Sequence, residues 1–307
     1  MEILKDDEYL DFVANQESQF ITPAVDYRQL ALESFADGDS MAGIELPWPK
    51  THEQFGIRPG EVTLWAGVNG HGKSQVLGQV AAMTIPESKW LIASLEMPIK
   101  STINRIARQI GGLNNPTEMY LSQIMDYTAN RLWIYDQIDT VPADRIIAMV
   151  HYAATKLGIE NIIIDSLVKC GMAVDDYNAQ KHFVDKLCWA ARANNIHIHL
   201  VHHVRKSERE GRVPDKFDIK GAGEITDLVD NIIIVHRNKD KEKRVQEGEA
   251  VDKYECDNAL IVAKQRHAGI EGKFALYFHD DSQQFLSSPD ARPFQPAMGV
   301  VRNDSYV

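Results

Sequence analysis

Cysteine is scarce in this chain of 307 residues, and Cys170, Cys188 and Cys256 are far apart and form no CxxC pair. That excludes a disulfide framework and a zinc ribbon, and leaves the three as small hydrophobic residues kept reduced. Long apolar runs are missing too. None approaches the roughly 18 residues that cross a bilayer, so no membrane partner is expected. Positive charge is in deficit, with 33 Lys and Arg against 44 Asp and Glu and a formal net charge of −11. A nucleic acid would therefore have to meet a local basic surface rather than the whole molecule. The N-terminal stretch MEILKDDEYL is acidic where a leader is basic, and the expected location is a cytoplasm.

Apolar residues make up 44% and charged residues 25%, the balance of a folded globular chain. The acids gather at the start (Asp6, Asp7, Glu8, Asp11) and between Glu242 and Asp257, which read as solvated periphery. Residues 1 to 58 form an N-terminal segment. Within it, Tyr27, Leu30, Ala31, Ser34 and Phe35 share one face of a short helix, with Asp26 as its expected N-cap. Residues 37 to 58, rich in Gly and Pro, read as linker and loop. The tail from 287 to 307, with Pro289, Pro293 and Pro296, reads as disordered.

Between them, residues 59 to 286 alternate apolar strands and helices. The strands are EVTLWA (61–66), WLIASL (90–95), RLWIYD (131–136), NIIID (161–165) and IHIHLVHH (196–203). Helices are expected from Lys73, between Lys100 and Asp126, after Pro142, and from Asn178 to Ala193. This predicts an α/β fold: a mostly parallel central sheet with helices on both faces. Later strands, at 231–237, 258–266 and 273–279, lack full helices between them and predict C-terminal antiparallel pairing.

Gly67-Val-Asn-Gly-His-Gly-Lys73-Ser74 is a GxxxxGKS loop between a strand and a helix. In such a P-loop, Gly67, Asn69, Gly70, His71 and Gly72 turn backbone N–H groups around a phosphate, and Gln75 continues into the helix. Lys73 reaches the β/γ-phosphates, and the Ser74 hydroxyl ligates Mg²⁺. ATP or another NTP is the implied ligand. Asp165 closes an apolar strand, either as the acid that holds Mg²⁺ or as the N-cap of a turn. Glu96 closes another strand, either as a base for the attacking water or as a cap before Met97-Pro98. Lys264 and Arg266, ending a strand, read alone as surface charge.

These motifs in this order, GxxxxGKS, Ser94-Leu95-Glu96-Met97-Pro98, IIIDS, the strand into His202-His203, and Lys264-Gln265-Arg266, resemble the RecA-like ATPase domain of replicative helicases. The similar proteins are DnaB-type hexamers, the helicase half of phage primase-helicases, and Twinkle; the resemblance spans roughly residues 25 to 285. It implies that Glu96 is the catalytic base, that Asp165 holds Mg²⁺, and that Lys264 and Arg266 act on a neighbour's nucleotide. His203 would sense the γ-phosphate, with His202 as runner-up and an ordinary strand-end histidine as the alternative. Arg237 and Tyr277 would sandwich the base, against a surface arginine and a packed tyrosine.

By the same resemblance, the loop with Arg205, Lys206, Arg209, Arg212 and Lys220 would line a DNA channel, unless it is a solvated connector. Lys169, in an expected second loop from Leu167 to Ala179, would join it. The helix at 26–36 resembles a linker helix that packs on the next subunit.

The implied function is an ATP-dependent hexameric ring helicase moving on single-stranded DNA. Fewer than 60 residues precede the core, so the expectation is a phage type without a primase domain, working in a host bacterial cytoplasm with a separate primase and DNA polymerase. The alternatives are a RecA/RadA-like recombination ATPase and a non-helicase motor or signalling ATPase.

Overall fold

The computed structural model describes residues 21–36, 43–173, 175–204, 212–220 and 222–299. It divides into two units, residues 1–41 and 42–307. In the first, a 3-10 turn (Ala24–Tyr27) runs into helix α1 (Arg28–Ala36). Asp26 lies inside that turn rather than capping it, because Pro23, whose φ is already set near −60°, takes the capping position. Leu32 and Phe35 of α1 are exposed.

The second unit opens with strands β1 (Ile44–Glu45) and β2 (Gly56–Ile57), which pair antiparallel. The stretch 43–58, expected to be linker and loop, is instead part of the core. Leu46, Trp48, Phe55 and Ile57 are buried, and Trp48 Nε1 donates to the Phe285 carbonyl at 2.8 Å. Its turn residues supply the corners, and its few apolar residues carry the packing.

The remaining elements are β3 (Val62–Ala66), α2 (Lys73–Thr84), β4 (Trp90–Ser94), α3 (Ile99–Gly111), α4 (Glu118–Thr128), β5 (Leu132–Ile134), α5 (Ala143–Leu157), β6 (Asn161–Asp165), α6 (Tyr177–Asn194) and β7 (His197–Val201). After them come α7 (Ala222–Leu228), β8 (Asn231–Arg237), α8 (Lys239–Gln246), β9 (Asn258–Gln265), β10 (Gly272–His279) and β11 (Gln284–Leu286). One sheet runs in the order β11-β10-β9-β8-β3-β7-β6-β4-β5. It is parallel from β8 to β5 and antiparallel from β8 to β11. The α/β class, the parallel core and the antiparallel end agree with expectation. Helix α8, which runs into the start of the acidic stretch read as periphery, was not expected.

Strand residues alternate between two cores. Val62, Leu64, Ile162, Ile164, Ile232 and Ile234 face α5 and α6, whereas Trp65, Ile163, Ile233 and Val235 face α2, α3 and α4. Apolar residues at every position are what a sheet covered on both sides requires. The segment expected to be a disordered tail is packed as far as Gly299: Phe294 is buried against Met83 and Leu286, and Gln284 Nε2 donates to its carbonyl at 2.8 Å. Residues 300–307 lie outside the described residues.

Candidate active site

Strand β3 ends in the glycine turn that starts α2. Gly67 cannot carry a side chain, since a Cβ would meet the Val235 carbonyl oxygen at 2.5 Å. Gly72 adopts a φ of +88°, a left-handed conformation that favours glycine. His71 is pinned beneath the turn. Its Nδ1 accepts from Arg237 N at 3.2 Å, its carbonyl accepts from Asn258 Nδ2 at 3.1 Å, and burial holds its pKa down at about 4.

The Lys73 ammonium is buried and donates to the carbonyls of Gly67 (3.0 Å) and Val68 (3.2 Å), with His203 Nδ1 at 3.3 Å. Among the described residues no carboxylate lies within ion-pair distance of it, and burial pushes its pKa down to about 8. Strand β6 ends in Asp165, whose pKa is raised by burial against the lowering influence of the nearby Ser74 hydroxyl. Glu96 follows β4 and accepts a hydrogen bond from Ser166 Oγ; its Oε1 lies 3.9 Å from His203 Nε2. Those contacts, His203 first, hold Glu96 at about 2. Glu96 caps no helix, because Pro98 occupies the N-cap of α3. Asp165 does not cap the turn behind it either, since Ser166 stands at that position.

Lys73, Ser74, Glu96, Asp165 and His203 thus line one cleft of about 310 Å³, with Asn69, Gly70, Gly72 and Gln75 around it. It sits at the carboxyl edge of the parallel strands, where α/β sheets collect ligands. Strand β7 stops at Val201, so His203 lies just beyond it rather than within it. Its partner His202 is buried away from the cleft, with Nε2 at 3.0 Å from the Lys220 carbonyl. Gln75 partly turns aside, its amide donating to Gln283. Arg105 completes the cleft and was missed in the sequence. It lies on α3 beside buried Thr102 and Ile106, and burial lowers its pKa against the opposing pull of Asp165. The readable signal was an arginine three residues after a buried threonine on an amphipathic helix.

Residues of the P-loop also border a second cavity of about 470 Å³, lined by Gly70, His71, Gly72, Arg237, Phe278 and Phe285 among others. Arg237 donates to the Gly70 carbonyl at 3.3 Å and pairs with Glu242. Tyr277 does not face this cavity. Alternation along β10 turns it to the other side of the sheet, where its hydroxyl donates to the Tyr254 carbonyl at 2.7 Å, and Phe278 takes its place.

Lys264 and Arg266 lie far from this cleft in the fold, because antiparallel β9 ends where β8 and β3 begin. Lys264 Nζ donates to the carbonyls of Thr226, Asp227 and Val229 at the end of α7. Arg266 bonds Asp230 Oδ1 at 3.0 Å and the Asp227 carbonyl at 2.8 Å.

Of the expected DNA contacts, Arg205, Lys206 and Arg209 lie outside the described residues. Arg212 is exposed and paired with Asp215 and Asp218. Lys220 is held by its backbone, its N–H donating to the His203 carbonyl at 3.2 Å. The expected loop from Leu167 to Ala179 is shorter than read: Leu167–Lys169 form a 3-10 turn and α6 starts at Tyr177, with Lys169 at 3.7 Å from Asp139.

Among the described residues no helix is long and apolar enough to cross a membrane. The chain is 26% identical over 211 residues to the DNA helicase/primase of Enterobacteria phage T3, covering 60% of this chain and 37% of that protein. It is 20% identical over 219 residues to the Twinkle homolog protein, chloroplastic/mitochondrial, of Arabidopsis thaliana, covering 65% of this chain and 31% of that one. The match therefore spans about a third of each relative's length. Two solved structures share the fold over 87% of the chain. One is a DnaB-like replicative helicase (TM-score 0.70, 18% identity, 67% of that structure), the other a separate ATPase domain (TM-score 0.71, 19% identity, 99% of that structure). The family model for the DnaB-like helicase C-terminal domain matches residues 51–287, from the buried Thr51 turn to the end of β11, and the chain belongs to that family.

Proposed function

We propose that this protein is an ATP-driven DNA helicase of the hexameric ring type, moving on single-stranded DNA, phage-like, and working with a separate primase and DNA polymerase. The observation that carries this reading is the meeting of Lys73, Glu96, Asp165 and His203, from four different strand ends, around one cleft. A buried ammonium with only carbonyl and imidazole partners suits an incoming phosphate. Ser74 and Asp165, which line the cleft together, would hold Mg²⁺, which when bound neutralises charge on the phosphate oxygens. Glu96, kept ionised by the hydrogen bond from Ser166 and by the His203 ring 3.9 Å away, accepts the proton of the attacking water. His203, touching both Lys73 and Glu96, reports whether the terminal phosphate is there. The nucleobase would occupy the cavity between Arg237 and Phe278. Arg266 would reach the nucleotide of a neighbouring copy, since the fold carries it to the opposite sheet edge from its own phosphate loop.

Strand displacement on a forked DNA with ATP, combined with negative-stain imaging, tests the reading. Closed rings that displace a strand support it. Filaments on single-stranded DNA without displacement would favour a recombination ATPase, and ATP turnover indifferent to DNA would favour a motor or signalling role.

A further inference from the structure

Asp230 stands between α7 and β8 with a side chain only 9% exposed, and both its oxygens are in use. Oδ1 accepts from Arg266 NH1 at 3.0 Å and from Arg192 NH2 at 3.5 Å; Oδ2 accepts from the backbone N–H of Val62 at 2.9 Å. Backbone bonds reinforce the junction, from Arg266 N to the Asp230 carbonyl at 3.0 Å and from Asp230 N to the Val62 carbonyl at 3.1 Å. The Arg266 side chain remains 48% exposed, so it is anchored at one side and open at the other. A guanidinium offers five N–H donors in a rigid plane. Two are spent on Asp230 and the Asp227 carbonyl, and the plane is thereby fixed before any ligand arrives.

We propose that Asp230 is the positioning residue for Arg266, holding the guanidinium aimed outward at the nucleotide phosphates of a second copy of this chain. The inference rests on the reading that Arg266 acts in trans. Exposed arginine side chains are otherwise free to rotate, and a cation that must be in place when charge develops works best when its orientation is set beforehand. Asp230 is not itself within reach of any phosphate site. It acts through Arg266, and through Val62 it also anchors the start of β3, the strand whose far end carries the phosphate loop. That second bond is the competing explanation for any defect, and the test separates the two.

Asp230→Asn and Asp230→Glu are measured beside Arg266→Ala and Lys73→Ala, with nucleotide affinity, ring assembly and ATP turnover recorded for each. Loss of positioning predicts a fall in turnover on the order of 10²-fold for Asp230→Asn, with nucleotide affinity and rings unchanged and a smaller fall for Asp230→Glu. Mixed rings with Lys73→Ala, which brings an intact Arg266, should regain activity, and mixed rings with Arg266→Ala should not. Wild-type turnover in Asp230→Asn overturns the proposal. So does weakened nucleotide binding, or recovery with Arg266→Ala in place of Lys73→Ala, either of which puts the defect in the variant's own phosphate loop. Should Asp230→Asn fail to fold, Asp230→Glu, which keeps the charge, is read by the same two mixtures. If Arg266→Ala and Lys73→Ala do not recover together in demonstrated mixed rings, the trans reading falls, and the role of Asp230 with it.

Discussion

Burial pushes Lys73 down to about 8 and the contacts of Glu96 hold it at about 2, so near neutral pH both stand in their charged forms. The ammonium is the more sensitive of the pair. Nucleotide binding to the wild type should weaken as pH rises from 7 through about 8 and beyond, checked by titration with a fluorescent nucleotide; an affinity unchanged at pH 9 would remove Lys73 from the phosphate site. Lys73→Ala should abolish turnover without lowering Tm, because the side chain it removes is a buried charge without a counter-ion in contact. Glu96→Gln should still bind nucleotide while turnover falls by about 10² to 10⁴. Normal hydrolysis in Glu96→Gln would send the search for a base elsewhere.

Strand β7 carries an unusual load. His197 is fully enclosed, its Nδ1 at 2.6 Å from the Arg58 carbonyl and its Nε2 at 2.8 Å from Thr63 Oγ1. His199 accepts from Trp65 Nε1 at 3.1 Å and stacks on Trp90, with ring centroids 4.9 Å apart. Burial holds His197 at about 4 and His199 well below the ordinary imidazole value. Both folded pKa values lie under the unfolded one, so the unfolded chain binds more protons as acid is added. Stability should therefore be intact above about pH 6.5 and fall between there and about pH 4, seen as a drop in Tm. His199→Phe should flatten that drop, and an unchanged slope would acquit His199.

In the stretch that precedes β3, Trp48→Ala should cost about 3 to 5 kcal/mol in denaturant melts, since it empties a fully buried site and removes one of the two donors to the Phe285 carbonyl, leaving Gln79 Nε2. A loss under 1 kcal/mol would return residues 43–58 to the status of linker.

Across the whole molecule, the proposed DNA grip and the nucleotide cleft share a junction of four residues. His203 faces Lys73, its carbonyl accepts from Lys220 N, and Val204 bridges Ile219. Val204 and Lys220, on either side of the proposed DNA-contacting stretch, thus both adjoin the residue that touches the phosphate loop. Neutralising Arg205, Lys206 and Arg209 together should weaken single-strand binding and reduce the slope of log affinity against log salt by about 0.7 for each DNA phosphate no longer neutralised. Basal ATP turnover without DNA should persist. Equal slopes for variant and wild type would move the DNA site elsewhere.

Local chemistry was legible wherever a residue's neighbours in sequence are its neighbours in space. The glycine turn of the phosphate loop, the strands NIIID and NIIIVHR, and the helix starts after Pro98 and Pro142 follow from backbone sterics and apolar runs that act over a few residues. From these alone came the α/β class, the phosphate loop, and Glu96 and Asp165 at strand ends. Placement across the sheet was not legible, since it depends on which distant strands pair. Only the fold brings Arg105 beside Asp165, and turns Phe278 rather than Tyr277 to the cavity. It also makes a core residue of Trp48, which lies in a stretch rich in turn formers. Arg266 shows the same division: its residue type and strand-end position were visible in the sequence, but its anchor on Asp230, 36 residues away, arises from antiparallel register.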